Sequence, residues 1–372
     1  MKRCLLVVAV VALLWQSRSG DACRPKPPKN TERVVLTGGT KSGPYGALSD
    51  AVTVLDLDAQ KLVDYGAKMP ISVAGHATAS IDGTLIVAGG FRDSKPAESY
   101  KTFVMRGDEV TVGADMPTLN ATTVRHSALI GDVLYLCGNR IPHADFDPVC
   151  HSYSVGQDQW SLLSAKLPAV LSRALMSMAT DGERYLYIVF ATGKDHGGGN
   201  GKRTGFGSAL HRLQHGLAER RHVKALLKGA SQFVVYRLDT RRPEAEWTLE
   251  SSVGQDAPIF VQSSVFVPST GQLLVCGLGM RDKDLVTICA TYQPETKQWS
   301  RAPSPNGSSL DALVQLIHCD GRVFLFRPLT LEDGLSKLET LQDGADAWTT
   351  PEVASAIKGS FFGSACVDFA RQ

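Results

Sequence analysis

The amino-acid sequence predicts an all-β protein: a six-bladed β-propeller closed by pairing of its C-terminal strand with its N-terminal blade. Two observations support this prediction: a strand-and-turn unit recurs about every fifty residues, and the two ends of the chain hold complementary parts of one unit. The unit is clearest at residues 81–91, IDGTLIVAGGF, where the turn Asp82-Gly83 leads into a short apolar run that ends at Gly89-Gly90. Such a pattern is typical of a short β-strand with sharp ends.

The same turn recurs at five places along the chain. It begins at residues 82, 131, 181, 270 and 320, so successive turns are separated by 49, 50, 89 and 50 residues. The long gap is one period with roughly 39 residues added. A fixed period of this length predicts a propeller whose blades are four-stranded sheets.

The two ends of the chain complete each other. Residues 33–39, RVVLTGG, have the core strand and glycine pair of a unit, but no strand precedes them. Residues 364–368, SACVD, have the character of that missing strand, and Asp368 follows Asp320 by 48 residues. We therefore predict that the last strand pairs with the segment near Val34, which completes six blades and removes the exposed sheet edges.

The second half of each unit carries further regular features. Four tryptophans mark a last strand and are predicted to pack between blades: Trp160, Trp247, Trp299 and Trp348. A proline closes most units, as in Met69-Pro70 and Met116-Pro117, because proline stops strand pairing.

The glycine pairs, the tryptophans, the Met-Pro pairs and residues 124–128, VRHSA, together resemble the kelch repeat. The resemblance covers nearly the whole chain after its N-terminal segment, although the glycine pair is complete only at Gly38-Gly39 and Gly89-Gly90. It implies a six-bladed kelch-type propeller over residues 33–372, with other propeller families as the alternative. Kelch-like propellers include enzymes, notably copper-radical galactose oxidases and sialic acid epimerases.

The N-terminal segment, residues 1–22, is organised as a secretory signal peptide. A short basic region, Met1-Lys2-Arg3, precedes an apolar run of eleven residues, 4–14. Small residues suitable for cleavage follow this run. This run is too short to span a bilayer, and no later run is long enough. Residues 23–32 are proline-rich and are predicted to be an extended lead-in. We therefore predict a secreted protein without a membrane span.

Secretion determines how the cysteines are interpreted. Cys137 and Cys276 each precede the glycine that ends a core strand, and each is followed thirteen residues later by another cysteine, Cys150 or Cys289. In an oxidising compartment, this repeated pattern predicts two disulfides that each join neighbouring strands of one blade.

Three further cysteines, Cys23, Cys319 and Cys366, leave an odd number to pair. A bond between Cys23 and Cys366 would tie the two termini together. We predict no metal site among the cysteines, because a structural zinc site needs four converging ligands and the chain has no CxxC spacing.

The extra residues of the long gap form an insertion at 194–229 that is rich in glycine, histidine and basic side chains. It contains eight lysines and arginines against two acidic residues. Three interpretations stay open: a solvated loop, a segment foreign to the fold such as a gene-model artefact, and a patch that attracts a sulfated glycan or an acidic partner. The basic candidates for such a patch are Arg220, Arg221 and Lys224.

The innermost strands of a propeller line its central channel, and we expect the segments before the repeated turns to do so here. They are small and apolar, with five polar positions: His76, Arg125, His126, Arg173 and His318. No carboxylate pair lies among them, although acid–base catalysis needs such groups close together. We assign no catalytic residue and no cofactor, and treat Arg125, His126 and Arg173 as candidate binding residues.

The sequence therefore predicts a secreted, monomeric binding module that presents variable loops to an extracellular protein or glycan. Sequons at Asn120 and Asn306 lie in links between blades, where glycans can sit on the surface. A net charge of +2 gives no reason to expect a nucleic-acid partner. The alternative is a carbohydrate-active enzyme of the sialic-acid-epimerase or galactose-oxidase type, which would need Arg, Glu, Tyr and His converging at one channel mouth.

Overall fold

In the part of the chain that the structure describes, six antiparallel β-sheets form the blades of a propeller, five with four strands and one with three. The structure is a computed structural model that describes residues 32–39, 47–56, 59–90, 101–117, 127–138, 149–168, 176–192, 232–253, 260–281, 284–305, 314–327, 337–357 and 363–368. Within these ranges, one short 3₁₀ helix is the single helical element. The predicted all-β, six-bladed propeller is confirmed.

The strands of blades 1 to 3 are numbered in chain order. Blade 1 contains β23 (Gly363–Asp368), β1 (Glu32–Thr37), β2 (Val52–Asp56) and β3 (Lys61–Asp64). Blade 2 contains β4 (Ala77–Ile81), β5 (Thr84–Ala88), β6 (Thr102–Arg106) and β7 (Glu109–Gly113). Blade 3 contains β8 (Ser127–Ile130), β9 (Val133–Gly138), β10 (Val149–Ser154) and β11 (Gln159–Leu162).

In blades 4 to 6, the strands again follow one another in chain order from the first strand to the last. Blade 4 contains β12 (Met176–Thr180), β13 (Tyr185–Thr192), β14 (Gln232–Asp239) and β15 (Thr248–Val253). Blade 5 contains β16 (Phe260–Val267), β17 (Gln272–Arg281), β18 (Asp284–Gln293) and β19 (Gln298–Arg301). Blade 6 contains β20 (Gln315–Cys319), β21 (Arg322–Arg327) and β22 (Lys337–Gln342).

The repeated turn joins the first two strands of a blade. At Asp82-Gly83 both residues have positive φ, 46° and 75°, and Asp320-Gly321 repeats this with 54° and 65°. Two consecutive positive φ angles are typical of the tight hairpin turn whose twist matches that of the flanking strands. Glycine is favoured in the second position because it adopts this conformation at no steric cost.

Blade 1 closes the ring as predicted. β23 pairs antiparallel with β1 over six residues, from the pair Glu32–Asp368 to the pair Thr37–Gly363. The strand that completes the first blade therefore comes from the opposite end of the sequence. Both edges of β1 are hydrogen-bonded, one to β23 and the other to β2.

Three disulfides connect the described strands. Cys137–Cys150 joins β9 to β10 and Cys276–Cys289 joins β17 to β18, with the two cysteines of each pair directly opposed in the ladder. Both predicted disulfides are thus present.

The predicted bond between Cys23 and Cys366 is absent, so that prediction is wrong: Cys366 is bonded to Cys319. These two cysteines lie 47 residues apart, nearly one period, and so occupy matching positions on the first strands of blades 6 and 1. Their Cα atoms are 5.3 Å apart, which allows a bond that links the last blade directly to the closing strand.

The hydrophobic core lies between neighbouring blades, and the tryptophans connect them. Trp160 of β11 donates from Nε1 to Thr102 Oγ1 at 3.1 Å and packs with residues of blade 2. Trp348 donates to the carbonyl of Pro303 at 2.9 Å, again reaching the preceding blade. The predicted packing role of the tryptophans is confirmed at these positions.

Blade 6 departs from the common plan. Its third strand is followed by a single β-bridge between Thr340 and Thr349 and by the 3₁₀ helix Glu352–Ala356, whose Val353 enters the core beside blade 1. Where other units have a glycine after the second strand, this blade ends β21 at Arg327. Arg327 forms a buried ion pair with Glu339 of β22. Sequence patterns gave no indication of this pair.

Candidate functional site: the central channel

The first strand of every blade faces a central cavity of about 270 Å³. The strands that line it are β23, β4, β8, β12, β16 and β20. The wall is built mostly from alanine, serine, threonine and aliphatic side chains, as the sequence segments predicted. The lining that the structure describes includes no Asp, Glu, Lys or Arg.

Hydroxyl groups of the wall join neighbouring blades. Ser264 of β16 donates from Oγ to Ser177 Oγ of β12 at 2.8 Å. In the next interface, Ser263 Oγ accepts the backbone N–H of Leu316 in β20 at 3.0 Å. These short side chains let the first strands approach closely while their polar atoms stay hydrogen-bonded.

A second polar cluster joins β1 of blade 1 to blade 2, beside Gly363 of the closing strand. Thr37 Oγ1 lies 2.7 Å from His76 Nε2 and 2.8 Å from Thr78 Oγ1, and all three residues are buried. A Cβ atom on Gly363 would lie 2.3 Å from each of these three polar atoms, so the cluster needs glycine at this position. Burial lowers the pKa of His76 to about 4, and its imidazole is therefore neutral at pH 7.

Two buried polar atoms of the wall have unused hydrogen-bonding capacity. His76 Nδ1 and Ser364 Oγ have no hydrogen-bond partner among the described residues. Their residues are 2% and 6% exposed, and both line the cavity. Both atoms are enclosed by protein with almost no exposed surface, and an unpaired polar atom in such a position costs free energy.

The turn end of the channel carries an imidazole with a carboxylate partner. His318 Nε2 lies 3.2 Å from both carboxylate oxygens of Asp343, and Ser269 Oγ donates to Asp343 Oδ2 at 2.6 Å. Asp343 was missed by sequence reasoning because it follows the third strand of its blade, far along the chain from the channel segments. The pair orients one imidazole, and the other described imidazole of the wall, His76, is bonded to Thr37 instead.

A larger cleft of about 850 Å³ lies on blade 4, beside the turn between β14 and β15. Arg184 donates to both carboxylate oxygens of Asp239, at 2.9 and 2.6 Å, and lowers the pKa of Asp239 to about 2. The guanidinium groups of Arg184 and Arg237 lie 4.8 and 4.6 Å from the ring centre of Tyr185. These two arginines are therefore committed to partners within blade 4, while Arg241, Arg242, Glu244 and Glu246 also line the cleft.

The remaining predicted site residues lie outside the described residues. These are the channel candidates Arg125, His126 and Arg173, the basic candidates Arg220, Arg221 and Lys224, and the sequons Asn120 and Asn306. The signal segment, the lead-in and the insertion at 194–229 also lie outside them. Their assignments stay predictions. Of the polar positions expected in the channel, His76 and His318 are placed in the wall.

Comparison with known proteins supports the repeat assignment. No family model matches the chain. A curated relative from Cowpox virus (strain Brighton Red), "Kelch repeat and BTB domain-containing protein 2", is 27% identical over 124 residues. A kelch-type propeller fits this similarity and the six blades. The match covers 32% of this chain and 21% of that relative, so it bears on the propeller repeat rather than on the whole of the viral protein.

No part of the described structure is suited to crossing a bilayer as a helix, since no helix there has the required length and hydrophobicity.

Proposed function

We propose that the protein is a secreted binding module that presents the loops of a rigid kelch-type propeller to an extracellular protein. The observation that carries this proposal is the described channel wall, which is built mostly from alanine, serine, threonine and aliphatic side chains and includes no Asp, Glu, Lys or Arg. Such a wall favours binding through the loops over the carbohydrate-active enzyme, which needs titratable groups that converge on a substrate.

A protein partner is favoured over a glycan because kelch propellers commonly bind proteins. Rigidity supports the same function. Two disulfides tie strands within blades and a third ties the last blade to the closing strand, so the strands that carry the loops are already ordered. A preorganised surface loses less conformational entropy when it binds.

Secretion is supported by the cysteines. Six of the seven cysteines after the N-terminal segment form disulfides, and disulfides persist in oxidising compartments. Together with the signal-like residues 1–22, this supports an extracellular partner.

A binding screen tests the proposed function. The chain from residue 23 is displayed against arrays of secreted proteins, receptor ectodomains and glycans, and saturable binding to a protein is expected. In a matched variant, residues 139–148 are replaced by a glycine-serine linker while Cys137 and Cys150 are kept, so that the disulfide still joins β9 to β10. Loss of binding with unchanged thermal stability would assign the contact to this loop. Binding to glycans alone, or turnover of a sugar substrate, would contradict the proposal.

The insertion at 194–229 is proposed to attract an acidic or sulfated partner through Arg220, Arg221 and Lys224. Clustered basic side chains attract anions at long range, and salt screens this attraction. The wild-type protein should be retained on heparin in physiological salt, and deletion of residues 196–228 should abolish retention. The variant Arg220→Lys/Arg221→Lys keeps the positive charge and should still be retained on heparin. Equal elution of the deletion variant and the wild type would refute this role.

A further inference from the structure

The disulfide that joins blade 6 to the closing strand differs from the other two in its surroundings. The four cysteines of the other two bonds are at most 2% exposed and lie in hydrophobic core clusters. Cys319 is buried as well, but Cys366 is only partly buried, and its Sγ lies 3.7 Å from Oε2 of the exposed residue Glu32. Thiol–disulfide exchange requires that a thiol reach one of the two sulfurs, so Cys366 is the point of attack.

Acidic side chains lie around this sulfur. Residues two apart in a strand, and residues directly opposed in a ladder, share one face of the sheet. Asp368 is two residues beyond Cys366 in β23, and Glu32 of β1 is opposed to Asp368, so all three lie on one face of blade 1. The turn of blade 6 adds Asp320, whose backbone N–H donates to Glu32 Oε2 at 2.9 Å. A charged reagent that approaches Cys366 is therefore repelled or attracted by three carboxylates.

The buried sulfur has a basic neighbour. Arg322 is directly opposed to Cys319 in the ladder of β20 and β21, which puts both side chains on one face of blade 6. Its Nε is buried and has no hydrogen-bond partner among the described residues. A neighbouring arginine stabilises a thiolate, which favours the departure of Cys319 when Cys366 is attacked.

We propose that Cys319–Cys366 is a site of thiol–disulfide exchange, and that the carboxylates beside it select cationic and neutral thiols over anionic ones. The thiolate of a small thiol attacks Cys366 Sγ, forms a mixed disulfide with it and expels the Cys319 thiolate. A second small thiolate attacks the sulfur of the first and releases Cys366. One small-molecule disulfide is formed, the protein gains two electrons, and the two cysteines take up the protons that the small thiols lost.

The exchange removes the covalent bond between the last blade and the closing strand, whereas the ladder between β23 and β1 does not depend on it.

Alkylation under native conditions identifies the reducible bond. The full chain is exposed to 2-mercaptoethanol without denaturant, samples are quenched with iodoacetamide, and peptides are mapped by mass spectrometry. Cys319 and Cys366 should be labelled at least about tenfold faster than the cysteines of the other two bonds, because those bonds open only when the core opens. Equal rates for all three disulfides, or faster opening of either buried one, would overturn the proposal.

Three thiols of similar size test the role of charge: cysteamine, which is cationic, 2-mercaptoethanol, which is neutral, and 3-mercaptopropionate, which is anionic. Each rate constant is divided by that of the same thiol with 2-hydroxyethyl disulfide, an uncharged reference, so that intrinsic reactivity cancels. A charge pair roughly 5 Å apart in water changes a rate roughly fourfold, so cysteamine should react at least about fourfold faster than 2-mercaptoethanol, and 3-mercaptopropionate correspondingly more slowly. High salt should reduce both differences. A reversed order, or equal rates at low salt, would refute selection by charge.

A matched pair of variants locates the charge effect. Glu32→Gln keeps an oxygen that can accept the N–H of Asp320 but removes a carboxylate. It should narrow the ratio between the rates of cysteamine and 3-mercaptopropionate at least about fourfold. Glu109→Gln removes an exposed carboxylate from β7 of blade 2 and should leave that ratio unchanged. Equal effects of the two substitutions would contradict the role of Glu32.

The mixed disulfide identifies the attacked sulfur. In samples quenched early with acid, mass spectrometry should find the cysteamine adduct on Cys366 and a free thiol on Cys319. An adduct found mainly on Cys319 would show that the attack takes place at the buried sulfur, contrary to the proposal.

Discussion

Thr37, His76 and Thr78 converge on Gly363 where the closing strand passes blade 2, and this contact leaves no room for a side chain. We expect Gly363→Ala to destabilise the protein by about 1–3 kcal/mol, the usual cost of an overpacked core position. Urea unfolding monitored by tryptophan fluorescence measures the change.

Gly156→Ala is the matched control for this substitution. A Cβ atom at position 156 meets only Asp132 Oδ2, at the ordinary distance of 3.6 Å. Its effect should stay within about 0.5 kcal/mol. Equal stability of the two variants would show that the cluster around Gly363 can relax without cost.

His76 should make stability depend on pH. Its pKa is about 4 in the folded protein against an ordinary 6.5, because burial disfavours the charged imidazole. The unfolded chain therefore binds a proton that the folded protein does not, so stability is fully present above pH 6.5 and is lost as the pH falls towards 4. The loss attributable to this residue is on the order of 3 kcal/mol.

The variant His76→Gln isolates that contribution. Its stability should fall less steeply than that of the wild type between pH 6.5 and pH 4, measured by denaturant unfolding across that range. His151, whose pKa burial also lowers, is present in both proteins and cancels in the comparison. Parallel pH profiles would mean that His76 becomes protonated in the folded state without penalty.

Residue contacts of this kind were the least accessible to sequence reasoning. His76 could be named as a polar position in a channel strand, but its partner Thr37 lies 39 residues away on a different blade. Gly363 is farther still along the chain, and no local pattern associates it with either residue. Such contacts depend on the packing of neighbouring blades, which a repeat pattern does not describe.

At the scale of elements, the repeat carried more information. Cys137–Cys150 and Cys276–Cys289 were predictable because both pairs stand at the same phase of two units and pair within one blade. Cys319–Cys366 joins two blades, and its signal was the separation of 47 residues, close to one period. Two cysteines about one period apart occupy first strands of neighbouring blades, so the spacing itself indicates this bond.

The three disulfides should differ in their contribution to stability. The loop-entropy model assigns roughly 4 kcal/mol to the bond between Cys319 and Cys366 and roughly 3 kcal/mol to that between Cys276 and Cys289, because the former closes the longer loop. Replacing both Cys319 and Cys366 by alanine should therefore lower the free energy of unfolding more than the same change at Cys276 and Cys289. The ranking would be contradicted if the pair within blade 5 proved the more costly to remove.

For the whole molecule, the period of the turns was enough to predict the number of blades and the manner of closure. It could not predict that blade 6 has three strands among its described residues, where the bridge Thr340–Thr349 and the 3₁₀ helix follow the third strand. It also could not predict the central cavity, because a cavity forms only when six first strands are brought together.

Closure of the ring by β23 should be essential for a stable propeller. A chain ending at residue 362 lacks the six-residue pairing with β1 and the bond from Cys319 to Cys366, and it exposes an edge of blade 1. The loss should exceed about 5 kcal/mol, comparable with the whole stability of many proteins, so the truncated chain should aggregate or unfold without a cooperative transition. A chain ending at residue 368 keeps all of β23 and is the matched control, which should unfold cooperatively at the wild-type temperature. Calorimetry and size-exclusion chromatography distinguish the two chains. A monomeric, cooperatively folded chain ending at residue 362 would show that the other five blades and β1 hold together without the strand that joins the two ends.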